Sequence, residues 1–429
     1  MLNRTIAPAV HDAVNFNFQL PDCRRSVFRN NLSLYWLCAG TQDVVQLEWV
    51  FKAGLWEENK PGVAYATAGM IRNGTSSKTE AQINEALEFY GASLHSSANN
   101  DYSTLSLHCL SRHLGKLLPI VQEIIFDARF PENELDIYRR NAIQHLSVNL
   151  KKVDFVANRE ADAQVFGYDH PYGRFSKKEN LEELQVADLK EFHSQYYTSA
   201  NCTLFMAGMV DTGTVTLVEQ YFGREQWGMP LGAGIVAKQH LITPGKKRKL
   251  QLDIQEESVQ GAVRLLRAFP DRHHPDFVPM VLLNTLLGGY FGSRLMANIR
   301  EDKGYTYGIY SQIYAYERAS TLTIATEAGK EVCTAVIEES RKEMQRLCRE
   351  AVSDEELSLV KNYLFGSLLG DLDGPFSLIR RWKGLILNGF DREHFYDNLR
   401  IYRSATPGEL QQLAQKYFDP GDYYELVVV

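Results

Sequence analysis

The sequence predicts an α+β protein of two homologous domains, each a mostly antiparallel β-sheet packed with α-helices. Three observations carry that expectation. At 429 residues the chain exceeds what a single hydrophobic core usually supports. Its second half repeats the order of the first. The stretch LKEFHSQYYTSAN at 189–201 is answered by LQQLAQKYFDPGD at 410–422. Leu189 falls on Leu410, Tyr196 on Tyr417, Tyr197 on Phe418 and Asn201 on Asp422, all at one offset. Glu134-Leu135 and Glu356-Leu357 open long helices at almost the same spacing, and Gly91 answers Gly304. Several matches at near-constant spacing indicate a duplicated domain. Finally, strands fall in pairs between groups of helices, the α+β pattern. The join is placed near Trp227 to Lys247, rich in Gly, Pro and Lys, giving domains of 1–230 and 231–429.

In chain order, residues 1–24 read as an extended arm. Ser33 to Cys38 and Val45 to Phe51 read as strands. In the second, Val45, Leu47, Trp49 and Phe51 alternate with Gln46, Glu48 and Val50, the period of a half-covered strand. A helix-like segment runs from Gly62 to Arg72. Thr79, with Gln82 three residues on, predicts a capping box for a helix to about Tyr90. Strands are expected at 92–98 and 102–110. Leu114, Leu117, Leu118, Val121, Ile124 and Ile125 mark one face of a further helix, which carries Pro119 internally. Helices are expected at 131–148, 154–166 and 186–197, and a strand at 202–209.

Composition narrows the function. A net charge of -7 argues against nucleic acid as a partner. No run approaches the roughly eighteen apolar residues of a membrane span, so no membrane partner is expected. The first residues show no apolar core or cleavage site, so no secretory signal is expected. Six cysteines (Cys23, Cys38, Cys109, Cys202, Cys333, Cys348) lack C-x-x-C or finger spacing. They read as reduced thiols of a cytoplasmic protein.

The most informative stretch is Leu287 to Tyr310. Gly288, Gly289 and Gly292 surround two aromatics and read as a flexible hinge. Ser293 is the expected N-cap of a short helix with Leu295, Met296 and Ile299 on its apolar side. Lys303-Gly304 is its expected stop. Tyr305, Tyr307 and Ile309 then alternate with Thr306 and Gly308 as a strand. A helix turning directly into a strand brings Arg300 and Tyr307 together, a planar cation and a neutral hydroxyl donor. Two such donors can hold a peptide carbonyl or an oxyanion. The plain alternative is a solvated helix-end arginine and a half-buried strand tyrosine. By the repeat, this stretch corresponds to Gly62 to Gly91.

These features resemble the pitrilysin/insulinase family of zinc peptidases (inverzincins), in the branch with two family domains per chain, and the likeness covers nearly the whole sequence. Its marks are Gly74-Thr75 after a helix, His170-Pro171-Tyr172-Gly173, and Gly292-Ser293-Arg294-Leu295 leading to Arg300 and Tyr307. The resemblance implies that Arg300 and Tyr307 contact substrate and support the tetrahedral intermediate. It also implies an H-x-x-E-H zinc motif on the helix before Gly-Thr, with a distal glutamate as third ligand. Placed here, that motif falls on Tyr65, Ala66, Thr67, Ala68 and Gly69, and the third ligand near Gln144-His145. Glycine supplies no ligand, and alanine accepts no proton from a metal-bound water. No H-x-x-E-H occurs elsewhere, and no two histidines stand four residues apart. His273-His274-Pro275-Asp276 reads as a helix start.

The resemblance then implies a division of labour. This chain is expected to carry no metal and to be inactive alone, a pseudoenzyme-like subunit of a heterodimeric, processing-peptidase-like zinc metalloendopeptidase. Its homologous partner would bear the zinc, and unfolded peptides would be the substrates; a homodimer is one option for the chain in isolation. The alternative is a non-catalytic assembly protein of the same fold, like the family's core proteins. A stand-alone zinc peptidase requires a metal site the sequence lacks.

Overall fold

The computed structural model describes residues 12–228, 238–254 and 258–429. The first half contains β1 (Arg24–Val27), β2 (Ser33–Cys38), β3 (Val44–Phe51), α1 (Val63–Met70), α2 (Glu80–Phe89), β4 (Ser93–Ala98) and β5 (Ser103–Leu110). It continues with α3 (Leu114–Phe126), α4 (Glu132–Asn149), α5 (Val153–Phe166), α6 (Lys178–Glu182), α7 (Val186–Tyr196), β6 (Cys202–Gly208) and α8 (Thr212–Phe222). The second half has β7 (Lys249–Leu252), β8 (Gln260–Phe269), α9 (Phe277–Asn284), β9 (Ile309–Ala315), β10 (Ser320–Gly329) and α10 (Cys333–Arg349). It ends with α11 (Asp354–Gly370), α12 (Pro375–Leu387), α13 (Arg392–Ser404), α14 (Pro407–Tyr417) and β11 (Tyr424–Val428). The expected capping box of α2 is present: Gln82 N–H donates to the Thr79 hydroxyl at 3.4 Å, and Thr79 N–H to the Gln82 side chain at 2.9 Å.

The duplication is visible in the topology. The first sheet has the order β1-β2-β6-β3-β5-β4 and the second β7-β11-β8-β10-β9. In each, one pairing is parallel, β2 with β6 and β7 with β11, and the remaining pairings are antiparallel. The second sheet therefore repeats the first strand for strand, with β1 as an addition. The fold is α+β, with a mostly antiparallel sheet in each half. The proposed boundary at 230/231 lies outside the described residues.

The repeat also corrects one correspondence. α1 and α2 lie between β3 and β4, as the Phe277–Asp302 segment lies between β8 and β9. The counterpart of α1 is thus α9. The turn bearing Arg300 answers α2, so Leu287 to Tyr310 does not map onto Gly62 to Gly91 as a block.

Each half lends a helix to the other. Leu378, Ile379, Trp382 and Leu385 of α12 join a core with Leu37, Val50, Phe205 and Ala207 of the first sheet. Val156, Ala157, Ala161 and Val165 of α5 pack with Ala262, Leu266, Leu426 and Val428 of the second. This exchange explains why β3 is not half-covered: Val45 to Phe51 are buried on both faces. Glu48, expected outside, accepts from Lys383 of α12 at 2.7 Å and from Ser106 at 2.9 Å. The N-terminal arm also crosses over. Phe18 and Leu20 lie in the second half's core, and the Trp382 indole donates to the Pro21 carbonyl at 2.8 Å. These residues thus pack with the domain that follows, outside the first domain's core.

The segment expected to be a hinge is packed at Gly288 and exposed at Gly289, Phe291 and Gly292. Residues 285–289 and 296–302 form π-helical turns, a geometry common at functional sites. Gly288 is required by close approach, since a Cβ there would lie 2.6 Å from the Ser311 backbone nitrogen. Ser293 does not cap with its side chain; its hydroxyl is buried without a partner among the described residues. The strand begins at Ile309, later than expected. The Thr306 hydroxyl ties up this bend, accepting from Gly308 N–H at 3.1 Å and bonding the Glu327 carbonyl at 2.6 Å, which holds 305–308 off the ladder. The expected stop at Gly304 is present as a left-handed residue, φ 65°. Among the described residues, no helix is long and apolar enough to cross a membrane. The six cysteines are unpaired thiols.

Candidate functional site

Two regions take the expected site residues. The first surrounds α1. Gly62, at φ 95°, turns the chain into the helix, and the Glu58 carboxylate accepts from Gly62 and Ala64 N–H at 3.2 and 3.1 Å. An acceptor at a helix N-terminus is electrostatically favourable. Arg174, from the loop after Gly173, pairs with Glu58 at 3.2 Å. Burial pushes the Glu58 carboxyl above its usual range, and Arg174 opposes the shift. In that loop, His170 Nδ1 accepts from Tyr172 N–H at 3.1 Å and the Tyr172 hydroxyl donates to Asp101. Burial, with His240 and Arg174 nearby, holds His170 down at about 4. It is therefore a neutral, structural imidazole. Gly74-Thr75 is likewise an anchor: the Thr75 hydroxyl accepts from Lys78 N–H at 3.0 Å and donates to Glu123.

Tyr65, Ala68 and Gly69 line a cavity of about 720 Å³. Gln144 and His145 do not: both are exposed on α4. The α4 side chain that meets α1 is Tyr138, whose Cε2 would lie 3.2 Å from a Cβ on Gly69. The contact between α4 and Gly69 falls at Tyr138, one of the residues that also line the cavity. Burial raises the Tyr138 hydroxyl to about 12 and also raises Tyr65, with Glu58 adding to it. Two protonated phenols, an alanine and a glycine do not fit a zinc ion, which needs imidazole, thiolate or carboxylate donors. Among the described residues, no group of three or more His, Cys, Asp and Glu is placed to hold a metal.

Sequence reasoning missed the charged residues of this cavity. Phe155, Asn158, Arg159 and Asp162 line it from one face of α5. The signal was present as a polar stripe at helical spacing, beside the Ala157, Ala161 and Val165 stripe that packs on the second sheet. Burial alone pushes the Asp162 carboxyl up to about 7.

The second region is a cavity of about 520 Å³ lined by Gly288, Tyr290, Phe291, Thr306, Tyr307 and Glu327 among others. Tyr307 is 96% exposed, and its hydroxyl has no hydrogen-bond partner among the described residues. Arg300 is not a lining residue. Its guanidinium lies over the Phe291 ring at 4.4 Å and pairs with no carboxylate among the described residues. Phe291 therefore links the two donors: Arg300 stacks on its ring, and Tyr307 lines the same cavity. Arg294, by contrast, is consumed structurally in a two-pronged pair with Glu356, both bonds at 2.8 Å.

Residues 39–165 match the family model described as insulinase (peptidase family M16), and residues 183–364 match the one described as the peptidase M16 inactive domain. The chain belongs to the M16 peptidase family. It is similar to the uncharacterized zinc protease YmxG of Bacillus subtilis, 24% identical over 322 residues, covering 75% of this chain and 76% of that one. An uncharacterized zinc protease of Mycobacterium tuberculosis is 23% identical over 367 residues, 82% of this chain and 81% of its own. Core protein I of the mitochondrial ubiquinol-cytochrome-c reductase complex of Euglena gracilis is 23% identical over 248 residues, 56% of this chain and 48% of its own. Among solved structures, the fold matches a peptidase M16 inactive domain from Pseudomonas fluorescens (TM-score 0.84, 20% identity, 95% and 98% of the chains). It also matches a protease from Helicobacter pylori (TM-score 0.86, 16% identity, 96% and 100%). Within the M16 family, then, this is a member whose α1 lacks the zinc and base residues of the H-x-x-E-H motif.

Proposed function

We propose that this M16 chain is the zinc-free subunit of a heterodimeric, cytoplasmic peptidase. It would supply Arg300 and Tyr307 in trans to a homologous partner that holds the metal. The observation that carries this reading is the state of the two donors. Arg300 has no carboxylate partner and the Tyr307 hydroxyl has no acceptor among the described residues, whereas the charge of nearby Arg294 is paired with Glu356. A cation stacked on Phe291 and an unpaired hydroxyl on the same cavity's wall suit an incoming peptide carbonyl. Arg300 holds the carbonyl in place, and Tyr307 donates to the oxygen as it gains charge. The absence of donors on α1 supports placing the zinc in the partner.

The test is co-expression with the candidate partner, followed by peptide cleavage by each chain alone and by the mixture. Tyr307→Phe is expected to lower the rate of the mixture by about 10²- to 10³-fold, the usual effect of losing one oxyanion donor, with the assembly intact by size-exclusion chromatography. Equal rates for mutant and native mixtures would refute the reading. A second reading, a non-catalytic assembly subunit, is favoured by the likeness to a respiratory-complex core protein. It predicts a stable complex whose partners include no H-x-x-E-H chain.

A further inference from the structure

The cavity beside α1 is distinct from the Arg300 and Tyr307 region and has its own chemistry. Its wall is largely apolar, with Leu55, Tyr65, Tyr138 and Phe155 contributing. Two opposite charges enter it from α5, Arg159 and Asp162, three residues apart on one helix face. Side chains at that spacing start about 5–6 Å apart at Cβ and commonly pair. Here they do not. Arg159 donates from Nη2 to the Ser176 carbonyl at 2.9 Å and lies over Phe175 at 4.0 Å and Phe155 at 5.3 Å. Its Nη1 is buried with no partner among the described residues. The Asp162 carboxylate has neither a hydrogen-bond donor nor a cation within ion-pair distance among them. The other cation on the wall, Arg174, is taken by Glu58 at 3.2 Å.

A buried donor without an acceptor, Arg159 Nη1, is costly, and the half-buried Asp162 carboxylate on the same wall has no cation to balance it. A ligand with only an ammonium group would leave Arg159 Nη1 unpaired, and one with only a carboxylate would leave Asp162 unpaired. A bare metal ion finds too few ligand groups. We propose that this cavity binds a small zwitterion with an apolar body, a free α-amino acid or dipeptide with bulky apolar side chains. Its ammonium group meets Asp162, and its carboxylate meets Arg159 Nη1. Burial that holds the Asp162 carboxyl near 7 fits this role, because an arriving ammonium group restores its charge. The volume, about 720 Å³, lies in the range of small-molecule sites and leaves room for an aromatic side chain beside Tyr138 and Phe155.

The experiment is calorimetric titration of the purified full chain with L-phenylalanine and with leucyl-phenylalanine, each also as its N-acetyl and its C-amide derivative. One of the two zwitterions is expected to bind, and removing either charge is expected to weaken it at least tenfold. In Asp162→Asn, the zwitterion weakens by a similar factor and N-acetylation no longer matters. In Arg159→Met the same holds for C-amidation. Asp162→Asn is nearly isosteric, so the proposal remains testable even where the arginine variant fails to fold. No binding of either zwitterion to the native chain, or equal affinity for capped and uncapped forms, would overturn it. Because the measurement uses this chain alone, its failure leaves the Arg300 and Tyr307 reading standing.

Discussion

Asp162→Asn should stabilise the unliganded protein in a pH-dependent way, and the size follows from burial. Enclosure by α5, the α1 cavity and the second half's Tyr316 raises the Asp162 carboxyl from an ordinary 3.8 to about 7. Three units at about 1.4 kcal/mol each give a ceiling of about 4 kcal/mol. The sign is fixed by linkage. Between pH 4 and 7 the folded chain retains a proton that the unfolded chain releases, so the contribution is full below about pH 4. It is lost as the pH rises through 7. Above that, the native protein bears an ionised, unpaired carboxylate. Asparagine does not titrate, so the stability gap between mutant and native protein should open by up to about 1.4 kcal/mol per pH unit across this window. Urea unfolding of both proteins at pH 4.5, 6, 7.5 and 8.5 measures it. A constant offset from pH 4.5 to 8.5 would show that Asp162 is ordinarily solvated and would refute the reasoning.

Two further predictions concern the frame. Gly288→Ala should cost about 1–3 kcal/mol, the usual range for overpacking, because its Cβ would meet the Ser311 backbone at 2.6 Å. Gly289→Ala should cost less, since its nearest contact is the Thr285 side chain at 3.2 Å; equal melting temperatures for the two would contradict the packing argument. Lys383→Met should cost about 3 kcal/mol by leaving Glu48 buried with Ser106 as its remaining partner. The double variant with Glu48→Gln should recover most of it, and chemical denaturation of the single and double variants closes the cycle.

What the sequence made legible was whatever local periodicity controls. The alternation in 103–110, the helical face from Leu114 to Ile125 and the Thr79 box all carry their own signals within a few residues, and each forms as expected. The duplication was legible because Leu189 to Asn201 and Leu410 to Asp422 occupy equivalent places before β6 and β11. What was hidden depends on elements distant in the chain. Glu48 and Gln46 look like the wet side of β3 until α12, more than 300 residues away, covers them. Gly288 and Gly289 look flexible until β9 is seen against Gly288. The approach of Tyr138 to Gly69 was hidden because helix–helix register is set by packing, which no spacing rule supplies. Asp162 was invisible for a different reason. Among Asp and Glu residues, nothing local distinguishes one with a partner from one without.

The exchange of helices gives the two cavities a common frame. α5 presents one face to the α1 cavity and another to the second sheet, and between them Asn158 accepts from the buried Arg264 of β8 at 2.9 Å. Arg264 also donates to the Thr326 carbonyl of β10 at 3.0 Å. The Thr326 hydroxyl lies 2.7 Å from the Gly308 carbonyl and 2.8 Å from the Thr306 hydroxyl. Those two residues flank Tyr307. A fully buried arginine is tolerated only when its donors are satisfied, so this chain of bonds holds α5, β8, β10 and the Thr306–Gly308 turn in one arrangement. It explains how Tyr307 can be 96% exposed and yet be positioned: its ring is free, but the backbone on either side is not. A hydroxyl that is open above and fixed below suits the role proposed for Tyr307, since its geometry need not reorganise when a charge forms.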